Sequence, residues 1–137
     1  MPTGNFGDVY AGYISKRMGL SINKLIVATN RNDILKRVIN TGEYKIEDVV
    51  ETISPSMDIQ VASNFERLIF DINSNDDSNV KEKMKNLKEK KFFKIDNNQL
   101  KSIKHDFCWN KEVVHELFHF GKWVFLSTAL TFFVGQY

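Results

Sequence analysis

Four consecutive apolar residues, Leu25-Ile26-Val27-Ala28, stand between two stretches of helical spacing. A short unbroken apolar run of this kind marks a strand buried on both faces. Ahead of it, Val9, Ala11-Gly12, Ile14 and Met18 recur at helical spacing, and Gly19 supplies a stop. Behind it, a second helix spans about Asp33 to Asn40, with Gly42 soon after. Loop, helix, strand, helix is α/β order.

The middle of the chain is mixed. Tyr44 to Ile53 suggests a short helix or turn beginning near Ile46, and Ser54-Pro55-Ser56-Met57-Asp58 reads as a loop, because Pro55 removes a donor and restricts Ser54. Ser63-Asn64-Phe65-Glu66 has the pattern of a capping box and opens a helix that turns Phe65, Leu68, Ile69 and Ile72 inward. Asn73 to Ser78 is a polar turn, with Asp76 and Asp77 near the start of the next helix. Residues 79–91 form a lysine-rich amphipathic stretch with Val80, Met84 and Leu87 on its apolar side. Asp96 and Gln99 suggest another capping box, opening a helix through Leu100, Ile103 and Phe107.

Composition excludes several classes of function. The chain has 137 residues, 42% apolar and 26% charged, as an ordinary globular domain does. A net charge of +2 gives no global reason to expect a nucleic-acid binder or a polybasic membrane surface. The lysine-rich stretch has Phe92 and Phe93 adjacent rather than interleaved, and Glu82 and Glu89 dilute it; a solvated helix face fits it best. Cys108 is the single cysteine, so no internal disulfide is possible, and a cytoplasmic setting is expected. The N-terminus lacks the pattern of a secretory signal. The apolar run Trp123 to Gly135 is shorter than the roughly 20 residues a membrane helix needs.

Gly4-Asn5-Phe6-Gly7-Asp8 immediately precedes the first helix. Small residues let backbone N–H groups converge on an anion, and a helix N-terminus adds a favourable dipole. Spacing alone fits a plain glycine-containing turn equally well. The residues say more. Pro2-Thr3-Gly4-Asn5-Phe6-Gly7-Asp8, Ala11-Gly12 and Met18-Gly19-Leu20 resemble threonine synthase. So do Leu25 through Leu35, Ser54-Pro55-Ser56-Met57-Asp58-Ile59-Gln60, and Ser63 through Leu68. The resemblance covers about residues 2–72 well and 73–107 loosely, and stops at a divergent apolar tail, 108–137.

The resemblance implies an α/β fold, part of a three-layer pyridoxal-phosphate domain of fold type II, the tryptophan-synthase-β-like class. It implies the family reaction, a carbon–oxygen lyase step acting on a phosphate: O-phosphohomoserine and water give threonine and inorganic phosphate. It places the phosphate of pyridoxal phosphate in the loop Gly4, Asn5, Phe6 and Gly7, with Phe6 there for shape and packing. Ser56, Asp58 and Asn64 fall in segments near the substrate side, where capping or loop-bracing is an equally good reading of each.

The resemblance also exposes departures. The family's essential lysine, which forms the internal aldimine with the cofactor, belongs to a segment upstream of the glycine loop. No lysine here stands at the matching position; Lys16 lies in the first helix and Lys24 at the entry of the strand. The expectation is a fragment, inactive on its own, with weak or absent cofactor binding. Apolar sheet surface left without its neighbouring domain would favour self-association.

The tail carries a competing pattern. His115-Glu116-Leu117-Phe118-His119 matches H-E-x-x-H, which on a helix turns two histidines one way for zinc with Glu116 as general base. A catalytic zinc needs a third protein ligand, and no Asp, Glu, His or Cys follows His119. A small zinc peptidase through His115 and His119 is therefore the alternative reading, and a non-catalytic remnant serving as an interaction domain is a third.

Overall fold

The computed structural model describes residues 4–109, 111–113, 115, 116 and 119. Helix α1 is Gly7–Arg17, strand β1 Leu25–Ile26, helix α2 Ile34–Thr41 and strand β2 Glu43–Lys45. A single 3₁₀ turn, Pro55–Met57, precedes helices α3 (Phe65–Ile72) and α4 (Asp77–Lys90). Strand β3 (Phe92–Lys94), helix α5 (Asn97–Asp106) and strand β4 (Phe107–Cys108) follow. The fold is mixed helix and strand, as the order of patterns predicts. Strand β1 runs parallel to β4, with Leu25 opposite Phe107 and Ile26 opposite Cys108. Strand β2 runs antiparallel to β3, with Tyr44 opposite Phe93.

The helix ends follow from local chemistry. After Met18, Gly19 takes φ +104°, and the N–H groups of Gly19 and Leu20 donate to the carbonyls of Lys16 and Ser15. That double closure needs a left-handed residue, which glycine adopts without Cβ strain. Met18, the C-cap, ends the helical spacing and stands 82% exposed, while Tyr13 is buried beside Val9. Helix α2 also ends on a left-handed glycine, Gly42 at φ +77°, whose single N–H bond goes to the Val38 carbonyl. The Asp76 carboxylate caps α4 by accepting from the N–H groups of Ser78 and Asn79.

Three expectations fail here. Helix α3 has Asn64 at its N-cap and no side-chain cap, so the Ser63–Glu66 box does not form. The Asn64 side chain is instead committed to the Asn5 carbonyl. No helix begins near Ile46; Tyr44 before it lies in β2, fully buried, with its ring stacked on Phe93 at 4.8 Å. Cross-strand aromatic pairing and burial outweigh the weak helical pattern that follows it. Phe107, read as helical, begins β4, where it packs against Phe6 and Tyr13. Phe65, Leu68 and Ile69 are buried as their spacing predicts, and the N–H of Asp96 donates to Gln99 Oε1 at the start of α5.

Among the described residues no helix is long and apolar enough to cross a membrane. Ile53, Val49 and Leu20 are exposed large apolar side chains. Most of the 108–137 tail lies outside the described residues.

Candidate functional site

The site grows from the loop before α1. Phe6 has a left-handed backbone, φ +68°, uncommon for a bulky residue. Its ring is fully buried, edge-on to Phe65 at 5.2 Å and tilted against Phe107 at 5.6 Å. The side chain thus anchors the loop to the core from below. Above it, the Gly7 N–H donates to Asn5 Oδ1 at 2.9 Å. That bond directs Oδ1 toward Gly7 and leaves both N–H donors of the Asn5 amide for other partners. The Asn5 carbonyl accepts from both the backbone N–H (3.0 Å) and Nδ2 (3.2 Å) of Asn64, which ties the loop to the start of α3.

Gly4 and Gly7 are glycine for a measurable reason. A Cβ on Gly4 would stand 2.9 Å from the Ser56 carbonyl oxygen and 3.3 Å from Met57 Cα, both backbone atoms that cannot swing away. A Cβ on Gly7 would stand 3.2 Å from Asn5 Oδ1 and 3.3 Å from Asn64 Nδ2. The loop therefore meets the Pro55–Met57 turn and the N-terminus of α3, some fifty to sixty residues further along the sequence. With the Gly7 N–H taken by Asn5 Oδ1, the next N–H groups of α1, those of Asp8 and Val9, precede the first helical bond, from the Tyr10 N–H to the Phe6 carbonyl, and have no intrahelical acceptor.

Of the residues singled out on the substrate side, Ser56 is exposed at the apex of the 3₁₀ turn, Asn64 touches the loop, and Asp58 sits below the turn. Asp58 is a hub. Its Oδ1 accepts from Asn30 Nδ2 (2.6 Å), Asn32 Nδ2 (3.0 Å) and the Thr52 hydroxyl (2.7 Å), while its Oδ2 accepts from the Thr52 N–H (2.7 Å). Partial desolvation pushes its pKa up, but the bonds from Thr52, Asn30 and Asn32 together prevail and hold it below the ordinary carboxylate value. Asn32, itself buried, grips the next strand of chain by a reciprocal pair: Nδ2 to the Val50 carbonyl at 2.8 Å and the Val50 N–H to Oδ1 at 2.9 Å. Sequence reading missed Asn30, Asn32 and Thr52. The available signal was the polar cluster directly after the buried strand, at the end where side chains leave the core.

His115, Glu116 and His119 lie on described, exposed positions. Among the described residues no three His, Cys, Asp or Glu side chains come together as a metal group, so the zinc alternative draws no support from geometry.

No family model matches the chain. Its relatives are nonetheless consistent. It is 52% identical over 82 residues to the threonine synthase of Pseudomonas aeruginosa, covering 60% of this chain and 18% of that protein. To the threonine synthase of Corynebacterium glutamicum it is 55% identical over 83 residues, covering 58% of this chain and 17% of that one. The crystal structure of threonine synthase from Brucella melitensis with bound pyridoxal phosphate superposes with a TM-score of 0.76 at 49% identity, over 79% of this chain and 23% of that one. The chain is similar to a segment of threonine synthase. It spans less than a fifth of the length of the curated threonine synthases just named.

Proposed function

We propose that this chain is a threonine-synthase-like segment whose Gly4-Asn5-Phe6-Gly7 loop receives the phosphate of pyridoxal phosphate. The observation that carries the reading is the crowding at Gly4: the loop is pressed so closely on the Ser56 carbonyl that no side chain fits, which leaves bare backbone at a helix N-terminus. Such a surface suits a phosphate dianion, because N–H donors and the positive end of the α1 dipole act together. The residue types fit the group. The Asn5 amide and the N–H groups of Asp8 and Val9 donate, Phe6 fixes the loop from the core, and Asn64 holds the Asn5 carbonyl. The exposed Ser56 hydroxyl is the substrate-side group of this reading. Pyridoxal phosphate, when bound, supplies the electron sink for chemistry at an amino-acid carbon.

In the parent family the reaction is O-phosphohomoserine and water to threonine and phosphate. Lys16 is not free to serve as the family's lysine in this reading, being committed to Asp106 at 2.7 Å near the far end of α1. The setting expected is the cytoplasm.

Equilibrium dialysis against pyridoxal phosphate, with inorganic phosphate as competitor, tests the loop. Saturable binding that phosphate displaces and that Gly4→Ala abolishes is the expected result; binding indifferent to both overturns it. Release of inorganic phosphate from O-phosphohomoserine by the pure chain alone would overturn the expected inactivity.

A further inference from the structure

The hydrogen-bonded hub beneath the Pro55–Met57 turn has a use that the phosphate loop does not itself explain. Between β2 and α3 the chain runs from residue 46 to 64 with one turn of 3₁₀ helix as its sole regular element among the described residues. Such a stretch has few backbone bonds of its own to fix its shape, so side chains must do it. Asp58 does most of this. Both oxygens reach back six residues to Thr52, one to its N–H and one to its hydroxyl, closing the 52–58 loop on itself. The Thr52 hydroxyl in turn accepts from the Ser54 N–H at 3.1 Å and from Asn30 Nδ2 at 2.9 Å. Asn30 and Asn32 then fasten the closed loop to the end of the buried strand. Within the loop, the Met57 N–H donates to the Ser54 carbonyl and the Asp58 N–H to the Pro55 carbonyl. What projects from this brace is the Ser56 carbonyl, the atom set against Gly4.

We propose that Asp58 is a positioning residue for the phosphate loop: by clamping Thr52, Asn30 and Asn32 it fixes the height of the Ser56 carbonyl, and with it the place of Gly4. The proposal rests on the reading of that loop as a phosphate site, and it gives Asp58 a role other than contact with substrate. Backbone lies against backbone at Gly4, so a shift of the turn by a few tenths of an ångström passes to the loop undamped. The carboxylate is matched to the task, since four donors converge on two oxygens and an amide offers only one acceptor atom.

Asp58→Asn tests this in the intact chain. The expected result is displacement of the Gly4 and Gly7 amide resonances without ligand, together with weakening of inorganic phosphate and pyridoxal phosphate binding by about tenfold, a change of 1.4 kcal/mol. Leu87→Ala, a core change on α4, is the control: it lowers stability and leaves those amides and affinities in place. Thr52→Val removes the hydroxyl while keeping the side-chain shape, and reproduces the displacement even if Asp58→Asn does not fold. Unmoved Gly4 and Gly7 amides with wild-type affinity in both variants would overturn the proposal, as would equal displacement in Leu87→Ala. If the wild-type chain binds neither phosphate nor pyridoxal phosphate, the reading of the loop fails separately, and the amide shifts alone decide whether Asp58 sets Gly4.

Discussion

The packing around Tyr44, Phe65 and Phe93 and the network around Asn32 and Asp58 hold successive stretches of one chain by opposite means. In the first, rings meet at 4.8 to 5.3 Å and are almost wholly shielded from water. Burial of this kind is non-directional and scales with area. In the second, backbone without regular structure is fixed by short, directional bonds to a few side chains, among them Arg37 Nη2 to Gln60 Oε1 at 3.1 Å and Arg37 Nη1 to Glu47 Oε1 at 3.0 Å. Apolar packing holds the mass of the fold and tolerates small shifts. The polar network sets the height of one turn, and it depends on protonation. A site that must present bare backbone to an anion needs the second kind of support, because an apolar wall cannot fix a carbonyl to a fraction of an ångström.

The largest effect separates the two regions most sharply. Phe65→Ala removes a ring that touches both Phe6 and Tyr44, and should lower stability by about 3–5 kcal/mol, read from the urea midpoint. Loss on that scale would bring a domain of ordinary stability close to unfolding. Asn32→Ala should cost less, about 1–3 kcal/mol, by leaving the Val50 N–H and carbonyl without the partners they have now. Its damage should be local, seen as faster amide exchange across residues 50–58 before any change at Leu68 or Ile69. Uniform loss of protection would show that the two regions open as one unit.

Opposite pH dependences sharpen the same contrast. Asp58 titrates below the ordinary carboxylate value in the folded chain. Its contribution is therefore complete above the unfolded value of about 3.9 and is lost as pH falls through the folded one. Tyr44 behaves in reverse. Burial raises its phenol pKa, which the Ala62 N–H and the Arg37 charge only partly counter. Its contribution is present below the unfolded value of about 10 and is lost as pH rises through the folded one. Acid should thus loosen the 52–58 loop first, and alkali the aromatic core. Tyr44→Phe should flatten the alkaline limb of the stability profile while costing about 1–3 kcal/mol at neutral pH, because the buried Ala62 N–H loses its acceptor at 2.8 Å. An unchanged alkaline limb in that variant would remove Tyr44 from the explanation.

The aromatic region and the helices were legible in the sequence where a single element sufficed. The spacing of Phe65, Leu68 and Ile69 specifies a buried helical face without reference to anything else, and Gly19 and Gly42 mark helix ends by their own backbone freedom. What stayed hidden depends on pairing across distance. Tyr44 is a strand residue because Phe93 lies opposite it, forty-nine positions away, and no local pattern carries that information. The Ser63 box failed for a similar reason, since Asn64 found a stronger commitment in the Asn5 carbonyl. At the site, the glycine loop could be read from Gly4 and Gly7, whereas the brace that sets it could not. Asn30, Asn32 and Thr52 are unremarkable polar residues until Asp58 is folded among them.

The smallest expected effect guards the comparison against a trivial explanation, that every polar contact in this chain matters alike. Lys94 Nζ lies 3.3 Å from Glu43 Oε1 across β2 and β3, where the two residues are directly opposite. Both side chains are largely exposed, at 61% and 49%. In that setting water and salt screen the attraction, and holding two long side chains together costs entropy. Lys94→Ala should therefore change stability by less than about 1 kcal/mol, and the difference should shrink further in high salt. The Asn32 network is short-ranged, partly shielded and built on backbone groups, so Asn32→Ala should keep its cost in the same salt. If the two variants lost equal stability with equal salt dependence, the polar region would owe its rigidity to general electrostatics, and the distinction between a fold held by packing and a site held by directed bonds would fall.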